Sequence, residues 1–330
     1  MRVVFLGNAR WSVPSLEAVA SSSHEVVRVV TRVPKPAGRG GALTPTPVAL
    51  SARRRGLPLA EVETVKSGPG FEALAEAEPD VLAVVAYGEI LPAAVLHVPR
   101  TAPVNVHFSL LPAFRGAAPV QHAILRGERV TGVSTIRMDE GMDTGPVLAQ
   151  AEEPIRADDD AGSLGDRLAA LGGRVLVETL DSLAAGSIRE RPQDHDRATY
   201  APKLGPVDRL IVWSKPAEEV VRLVRAMAPE PGATATFRGR TLKILRASVA
   251  EPPKGGAHVD DVPPGGVVEA IVRGPGQGLH VRALDRAVIL LEVAPEGRKR
   301  MTGAEFVRGY RPGVGEALGE RPPETGQGRG

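Results

Sequence analysis

Two segments of the sequence decide the fold: V-N-V-H-F-S-L-L-P at residues 104–112 and T-G-V-S-T-I-R-M-D-E-G-M-D-T-G at residues 131–145. Each begins with an apolar, β-branched run, which predicts a strand, and ends in a loop. Asn105 and His107 are two residues apart, so an extended strand would project both side chains from one face. Asp143 lies in the glycine-punctuated loop that ends the second segment. The pattern therefore predicts polar side chains at the ends of neighbouring strands.

The chain before these segments alternates short apolar runs with helix-like stretches. The runs predict strands, and the stretches between them predict helices; the strands are at residues 3–6, 26–30, 57–62 and 81–86, and the helices at 15–20, 48–55 and 71–77. Strands that are apolar on both faces and separated by helices are typical of a parallel sheet covered on both sides. We therefore predict an α/β fold with a doubly wound, mostly parallel sheet.

Ligands of doubly wound sheets bind outside the carboxyl ends of the strands. Three predicted loops follow apolar strands in this way, at residues 87–92, 108–116 and 139–145. We expect these loops to line one crevice. Residues 34–47 are rich in proline and glycine, so we interpret them as a long surface loop without regular structure, a type of loop that often has a function.

The second half of the chain has a different pattern. Helices are predicted at residues 117–125, 161–185 and 216–227, and short β-rich runs alternate with turn residues between 233 and 293. Several short strands at this spacing predict a small barrel. We therefore predict a catalytic domain at residues 1–186, a linker at 187–207, a barrel domain at 208–318 and a disordered tail at 319–330.

The composition fits a globular protein of two domains. The chain has 330 residues, of which 42% are hydrophobic and 24% charged. It has no cysteine, which excludes disulfides, cysteine nucleophiles and zinc–thiolate sites. The amino-terminal apolar run is too short for a signal peptide, and no apolar run reaches about 18 residues, so we expect a cytoplasmic protein. The formal charge is only +2, so any basic surface would be local.

Several common cofactor motifs are missing from the sequence. Gly7 follows the first strand, but there is neither a G-x-G-x-x-G pattern nor a phosphate-binding P-loop. We therefore expect no nicotinamide, flavin or ATP site, and no ligand motif indicates a metal. The histidines other than His107 occur singly and are interpreted as structural: His24, His97, His122, His195, His258 and His280.

The sequence resembles the folate-dependent formyltransferases. The pattern N-x-H-x-S-L-L-P, followed by M-D-x-G-x-D-T-G, is similar to their active-site motifs. Three further stretches are similar to the branch of the family that formylates methionyl-tRNA: P-A-G-R-G at residues 36–40, V-V-A-Y-G-E-I-L-P at 84–92 and R-G-A-A-P-V-Q at 115–121. The likeness covers nearly the whole chain.

Two positions depart from the family pattern. Asn8 and Ala9 stand where these enzymes commonly have Thr-Pro, and Phe108 replaces the usual glycine between the histidine and the serine. Since Phe108 lies inside the active-site loop, we expect it to alter the backbone angles of that loop.

The resemblance implies a Rossmann-like catalytic domain, an OB-like barrel and transfer of formyl from 10-formyltetrahydrofolate to the methionine of initiator tRNA, for translation initiation. It makes Asn105, His107 and Asp143 the catalytic residues. The residues expected to bind the folate are Ser109, Leu110, Leu111, Pro112, Tyr87, Ile90 and Asp139. For Asp139 and its neighbour Thr144, turn hydrogen bonds are the alternative role.

The chemistry of formyl transfer fits the three catalytic candidates. An amide such as Asn105 would donate a hydrogen bond to the oxygen that becomes negative, which contributes about 3 to 4 kcal/mol in comparable sites. His107 would carry protons or act as imidazolium, and Asp143 would hydrogen-bond to His107 and orient it. A lone Asn or His on an apolar strand is more often a satisfied core group. The three residues in their motif favour catalysis.

A tRNA partner requires a positively charged surface. Residues 203–246 contain nine basic and four acidic side chains, and Arg298 to Arg300 extend the excess. A solvated face is the usual meaning of such a bias, but the resemblance implies an RNA partner. We predict tRNA contacts at Arg39, Arg238, Arg240 and Lys243. Arg39 lies between two glycines, and its guanidinium suits a phosphate or a base; a solvated loop tip is the alternative.

Two other functions remain open. A formyltransferase that acts on a small amine, such as an amino-sugar nucleotide or glycinamide ribonucleotide, would share the same three residues. A non-catalytic RNA-binding protein would keep the fold, although the intact residues argue against it. The sequence does not determine the oligomeric state, and we expect a monomer.

Overall fold

The computed structural model describes residues 1–37, 41–251 and 262–319, and its chain divides into two units. The first unit consists of residues 1–120, 129–155 and 164–202. The second consists of residues 121–128, 156–163 and the described residues from 203 onward.

A seven-stranded sheet forms the centre of the first unit. The strands of this unit are β1 (Arg2–Gly7), β2 (Glu25–Arg32), β3 (Lys35–Ala37), β4 (Ala42–Thr44), β5 (Leu59–Val62), β6 (Val81–Val85), β7 (Ala102–His107), β8 (Val130–Arg137) and β9 (Val147–Pro154). The sheet has the order β5-β2-β1-β6-β7-β8-β9. The first five strands run parallel to one another, β8 runs antiparallel to β7, and β9 runs antiparallel to β8. The prediction of a mostly parallel α/β sheet is confirmed.

The helices up to residue 184 are α1 (Val13–Ala20), α2 (Pro47–Arg54), α3 (Gly68–Ala75), α4 (Ala93–Leu96), α5 (Pro119–Arg126) and α6 (Ala161–Ala184). Thr46 begins α2, because its side chain accepts a hydrogen bond from Ala49 N at 3.0 Å. One core cluster of the first unit joins strands to a helix, and it includes Leu6 of β1, Leu82 of β6 and Val95 of α4. The burial of β1 and β6 explains their uninterrupted apolar sequences.

The proline-rich segment at residues 34–47 contains regular structure that the sequence did not predict. Strands β3 and β4 form a two-stranded antiparallel ribbon in which Pro36 pairs with Leu43. Proline is tolerated there because a ribbon has no second neighbour that needs its missing N–H. Residues 38–40, which include Arg39 and fall between these two strands in the sequence, lie outside the described residues.

The second unit contains an antiparallel sheet. Its elements are α7 (Ala217–Met227), β10 (Ala233–Phe237), β11 (Arg240–Val249), β12 (Val267–Ile271), β13 (Gly278–Arg282), β14 (Ala287–Pro295), β15 (Met301–Thr302), α8 (Gly303–Tyr310) and β16 (Leu318–Gly319). The strand order is β12-β13-β14-β11-β10-β16, with β15 beside β14. A bridge between Gly266 and Ala317 joins the two ends of this order, so the sheet closes into the predicted small barrel.

Helix α8 was not predicted, although its start has a clear signal. Thr302 accepts a hydrogen bond from Glu305 N, and the Glu305 carboxylate accepts one from Thr302 N, which is a complete capping box. Phe306 is fully buried in the core of this unit, together with Trp213 and Phe237.

The predicted linker at residues 187–207 requires correction. Residues up to 202 belong to the first unit because their backbone bonds to its active-site segments. Arg115 N donates to Thr199 O at 2.8 Å, and Ala201 N donates to Arg115 O at 2.7 Å. Polar composition suggested a free connection, but these bonds make the segment part of the first unit.

Candidate active site

Asn105 and His107 project from the same face of β7, as their spacing predicted. The His107 side chain is only 6% exposed, and its Nε2 lies 2.8 Å from the backbone oxygen of Phe114. A carbonyl oxygen only accepts, so Nε2 carries the proton of this bond. In the neutral imidazole, Nδ1 is therefore the nitrogen that is able to accept a proton.

The carboxylate of Asp143 lies between these two side chains. Asn105 Nδ2 donates to Oδ1 at 3.3 Å, and Gly116 N donates to Oδ2 at 2.8 Å. His107 Nδ1 is 3.6 Å from Oδ2, which is an ion-pair distance rather than the hydrogen bond that we expected. The three predicted catalytic residues are thus brought together, with a small separation between the imidazole and the carboxylate.

A pocket of about 150 Å³ lies beside Asp143. Its walls combine five apolar side chains with several acidic ones, and the apolar ones are Ile90, Leu91, Ile136, Met138 and Met142. Two of the three loops expected at the crevice contribute to it directly, through residues 89–91 and 138–143. The third loop, residues 108–116, contacts the site through Gly116, whose backbone N–H donates a hydrogen bond to the Asp143 carboxylate.

The folate candidates of the S-L-L-P segment lie apart from this pocket. Ser109 is fully buried, and its hydroxyl donates to Ala113 O at 2.6 Å. Leu111 packs against Ile136 behind the pocket wall. Leu110, Leu111 and Pro112 line a different cavity of about 450 Å³, which also includes Arg191 and Arg197. The segment therefore supports the Asp143 pocket from behind.

The other three folate candidates occupy different environments. Ile90 lines the pocket and is 72% exposed, whereas Tyr87 is 2% exposed within the apolar core. Burial, and then the charge of Glu89, raise the pKa of Tyr87 to about 12, so the phenol stays protonated. Asp139 lines the pocket, and it also accepts hydrogen bonds from Gly141 N at 3.1 Å and Thr144 Oγ1 at 2.7 Å. These are turn hydrogen bonds, the alternative role expected for Asp139 and Thr144 from the sequence.

Phe108 does not distort the active-site loop. Its φ lies outside the left-handed region, and its ring is buried, in edge contact with Trp11 at 6.1 Å between centroids. Gly172 leaves room for the ring, since a Cβ at that position would be 3.3 Å from Phe108 Cε1. The side chain is therefore accommodated in the core without a left-handed backbone angle at residue 108.

Replacement of Phe108 by alanine is expected to destabilise the protein by about 3 to 5 kcal/mol, the usual cost of removing a buried phenylalanine. Urea unfolding of the variant measures this change. Leu43→Ala is the control, because Leu43 is 69% exposed and its loss should change stability by less than about 0.5 kcal/mol. Equal stability of the two variants would contradict the buried position of Phe108.

The predicted tRNA residues of the barrel differ in their availability. The Arg238 guanidinium forms two hydrogen bonds with Glu316, at 2.6 and 3.0 Å, and one with Tyr310 O at 3.1 Å. Arg240 and Lys243 are exposed on β11, and neither forms an ion pair within the described part of the chain. The position of Arg39 lies outside the described residues.

Sequence reasoning missed the polar residues that hold the loops. Gln193 donates to the backbone oxygens of Asp143 and Gly145, and Arg115 donates to Gln193. Ser134 donates to Ser109 O at 2.6 Å, and Gln150 donates to Leu111 O at 2.8 Å. Arg115 was part of a quoted motif, whereas Gln193 lies in a segment without periodicity.

Two family models match the chain. The model described as "Formyl transferase" matches residues 1–180, and the one described as "Formyl transferase, C-terminal domain" matches residues 203–311. The chain therefore is a formyl transferase with both domains of that class, the first on the seven-stranded sheet and the second on the barrel. No helix in the described ranges is long and apolar enough to cross a membrane.

Curated relatives narrow this class. A protein of Acidothermus cellulolyticus named methionyl-tRNA formyltransferase is 43% identical, over 94% of this chain and 98% of its own length. A protein of the same name from Streptomyces griseus is 42% identical, over 97% of this chain and its full length. The chain belongs to the methionyl-tRNA formyltransferase family.

Solved structures with low sequence identity share the fold. HypX from Aquifex aeolicus, in complex with tetrahydrofolic acid, has a TM-score of 0.63 at 19% identity, over 99% of this chain and 50% of that protein. An N-formyltransferase from Helicobacter canadensis has a TM-score of 0.64 at 17% identity, over 88% of this chain and 98% of that protein.

Proposed function

We propose that the protein transfers the formyl group of 10-formyltetrahydrofolate to the α-amino group of methionine on initiator tRNA, for translation initiation. The observation that carries the proposal is the meeting of Asn105, His107 and Asp143 beside an apolar pocket, in a chain of this family. We further propose that the first unit, which extends to residue 202, is the catalytic domain, that residues 208–318 form the tRNA-binding domain, and that the protein is a cytoplasmic monomer.

The pocket beside Asp143 fits the flat ring of a folate. Its apolar walls, formed by Ile90, Leu91, Ile136, Met138 and Met142, suit an aromatic heterocycle, and acidic groups such as Asp139 suit its N–H donors. Ile90 and Asp139 are the folate residues proposed here to touch the ring directly. Leu111 and Ser109 support the pocket, and Tyr87 contributes to it through the core beneath.

The three catalytic residues have complementary tasks. Formyl transfer forms a bond between the methionine nitrogen and the formyl carbon, breaks the bond to the folate nitrogen and moves one proton between them. The Asn105 amide has a second hydrogen for the formyl oxygen as it becomes negative. His107 Nδ1 accepts the proton that the amine loses, and Asp143, at 3.6 Å, stabilises the resulting imidazolium.

Product analysis tests the proposal. The purified protein is incubated with 10-formyltetrahydrofolate labelled in the formyl carbon and with methionyl-tRNA, and the aminoacyl group is then identified by mass spectrometry. We expect labelled formylmethionine. Formylation of an amino-sugar nucleotide or glycinamide ribonucleotide, but not of methionyl-tRNA, would instead support the small-amine alternative, and tRNA binding without transfer would support the non-catalytic one.

The barrel surface leads to a separate prediction. Replacing Arg240 and Lys243 together by alanine should raise the Michaelis constant for tRNA, because two phosphate contacts are lost. Each lost contact should also reduce the steepness of log affinity against log salt by about 0.9. Arg238→Ala is the matched control, since its charge is already paired with Glu316. If the salt slope does not change in the double variant, tRNA binds elsewhere.

Arg39 is proposed to contact the acceptor end of the tRNA. In the sequence it falls between the strands β3 and β4, and a guanidinium binds phosphate or stacks on a base. Arg39→Ala should reduce formylation of methionyl-tRNA at least about tenfold, the loss of one good charged contact, without changing folate affinity. Arg54→Ala, an exposed arginine on α2, is the control. Equal damage to tRNA and folate binding would contradict the assignment.

A further inference from the structure

Arg115 is a buried cation without an acidic partner. Its side chain is 1% exposed, and no carboxylate in the described ranges forms an ion pair with it. Its guanidinium donates to Gln193 Oε1 from Nε at 3.1 Å and from Nη2 at 2.7 Å, and Nη2 lies 3.2 Å from His195 Nδ1. Burying an unpaired charge is costly, so a merely structural site would be served better by an apolar residue.

Gln193 connects Arg115 to the Asp143 loop by hydrogen bonds. Its side chain is 8% exposed, and Nε2 donates to Asp143 O at 2.8 Å and to Gly145 O at 2.7 Å. Because Oε1 accepts both hydrogen bonds from Arg115, the orientation of the amide is fixed, with Nε2 toward the loop. One side chain thus holds the backbone on both sides of Thr144.

The held backbone is strained at the catalytic residue itself. Asp143 has a φ of 54°, in the left-handed region that non-glycine residues seldom adopt. This conformation directs the carboxylate toward Gly116 N, Asn105 and His107. Strain of this kind persists only where surrounding contacts enforce it.

We propose that Gln193, oriented by Arg115, is a positioning residue that holds Asp143 in its left-handed conformation and so places the carboxylate opposite His107. The inference rests on the proposed function for its kinetic consequence. A displacement of about 1 Å of a reacting group can cost about a hundredfold in rate, so the effect of losing this support should be measurable.

Gln193→Glu separates positioning from simple packing. A glutamate keeps the shape and accepts from Arg115 as an ion pair, which offsets part of the cost of the two lost hydrogen bonds, so the variant should still fold cooperatively in urea unfolding. It removes both N–H donors and turns an oxygen toward the carbonyls of Asp143 and Gly145. We therefore expect kcat to fall at least about tenfold, with the Michaelis constant for tRNA unchanged. Gln277→Glu, an exposed turn residue in the second unit, is the control for the change from amide to acid.

A double-mutant cycle tests whether the effect passes through Asp143. Gln193→Ala should lower kcat in the wild-type background and cause little further loss in an Asp143→Ala background, because the carboxylate that it positions is absent. An equal fold-loss in both backgrounds would overturn the proposal.

A crystal structure of Gln193→Glu gives a readout that does not depend on the substrate. We expect the φ of Asp143 to leave the left-handed region and the bond from Gly116 N to the carboxylate to break. An unchanged Asp143 would overturn the positioning role. Failure of the wild type to formylate methionyl-tRNA would contradict the proposed function alone, since the crystal structure would still decide the positioning role.

Discussion

Replacement of His107 by alanine is expected to lower turnover by about 10²- to 10⁴-fold, the range for loss of a group that transfers protons in the transition state. The expectation follows from the geometry of the ring. Nε2 is committed to Phe114 O, and Nδ1 faces Asp143 at 3.6 Å, so Nδ1 is the proton acceptor of the site. Steady-state kinetics with methionyl-tRNA measures the change.

The matched control for His107 is His97→Ala. His97 is an exposed histidine whose Nδ1 lies 2.7 Å from Ala93 O, and it does not line the Asp143 pocket. Its replacement should leave turnover unchanged. Near-normal turnover of a folded His107→Ala protein would exclude the proposed proton transfer.

Asp143→Asn is expected to reduce turnover by at least about a hundredfold, as for the loss of an electrostatic group in a comparable site. The amide oxygen still accepts from Gly116 N, which keeps the shorter of the two loop bonds, while the amide nitrogen takes the place of the oxygen that accepts from Asn105. What is lost is the negative charge opposite His107 Nδ1, and with it the stabilisation of the imidazolium. The variant therefore removes the charge beside His107 and the contact with Asn105, while the bond from Gly116 N holds the loop.

Asp139→Asn, measured with folate saturating because Asp139 is proposed to touch the folate ring, is the control for this substitution. Asp139 lies in the same loop, and its bonds to Gly141 and Thr144 can also be accepted by an amide oxygen. We expect its turnover to stay well above that of Asp143→Asn. If the two variants lose turnover equally, the effect belongs to the loop and not to the charge beside His107.

Local sequence patterns were sufficient for most of the fold. Apolar runs such as residues 3–6 and 81–86 predicted buried parallel strands, and regularly spaced β-rich runs predicted the barrel. Ribbon β3–β4 was missed because its strands are short and one contains Pro36. Helix α8 was missed because its capping box, Thr302 with Glu305, was not recognised among turn residues.

The site was predicted only in part, for a physical reason. Strand periodicity placed Asn105 beside His107, but no periodicity connects them to Asp143, which came from the family motif. The support from Gln193 depends on contacts between residues 50 positions apart. Charge counting also does not distinguish Arg238 from Arg240 and Lys243, because a sequence shows the number of basic residues and not that Glu316 already binds one of them.

The central claim is that the Asn105–His107–Asp143 site carries out formyl transfer to methionyl-tRNA. Rapid-quench single-turnover measurement with both substrates saturating tests it most directly, because it follows the chemical step without product release. We predict that the wild type transfers labelled formyl to methionyl-tRNA, and that His107→Ala, with both substrates bound, transfers it at least about a hundredfold more slowly. Absence of transfer by the wild type, or equal rates for the two proteins, would contradict the account.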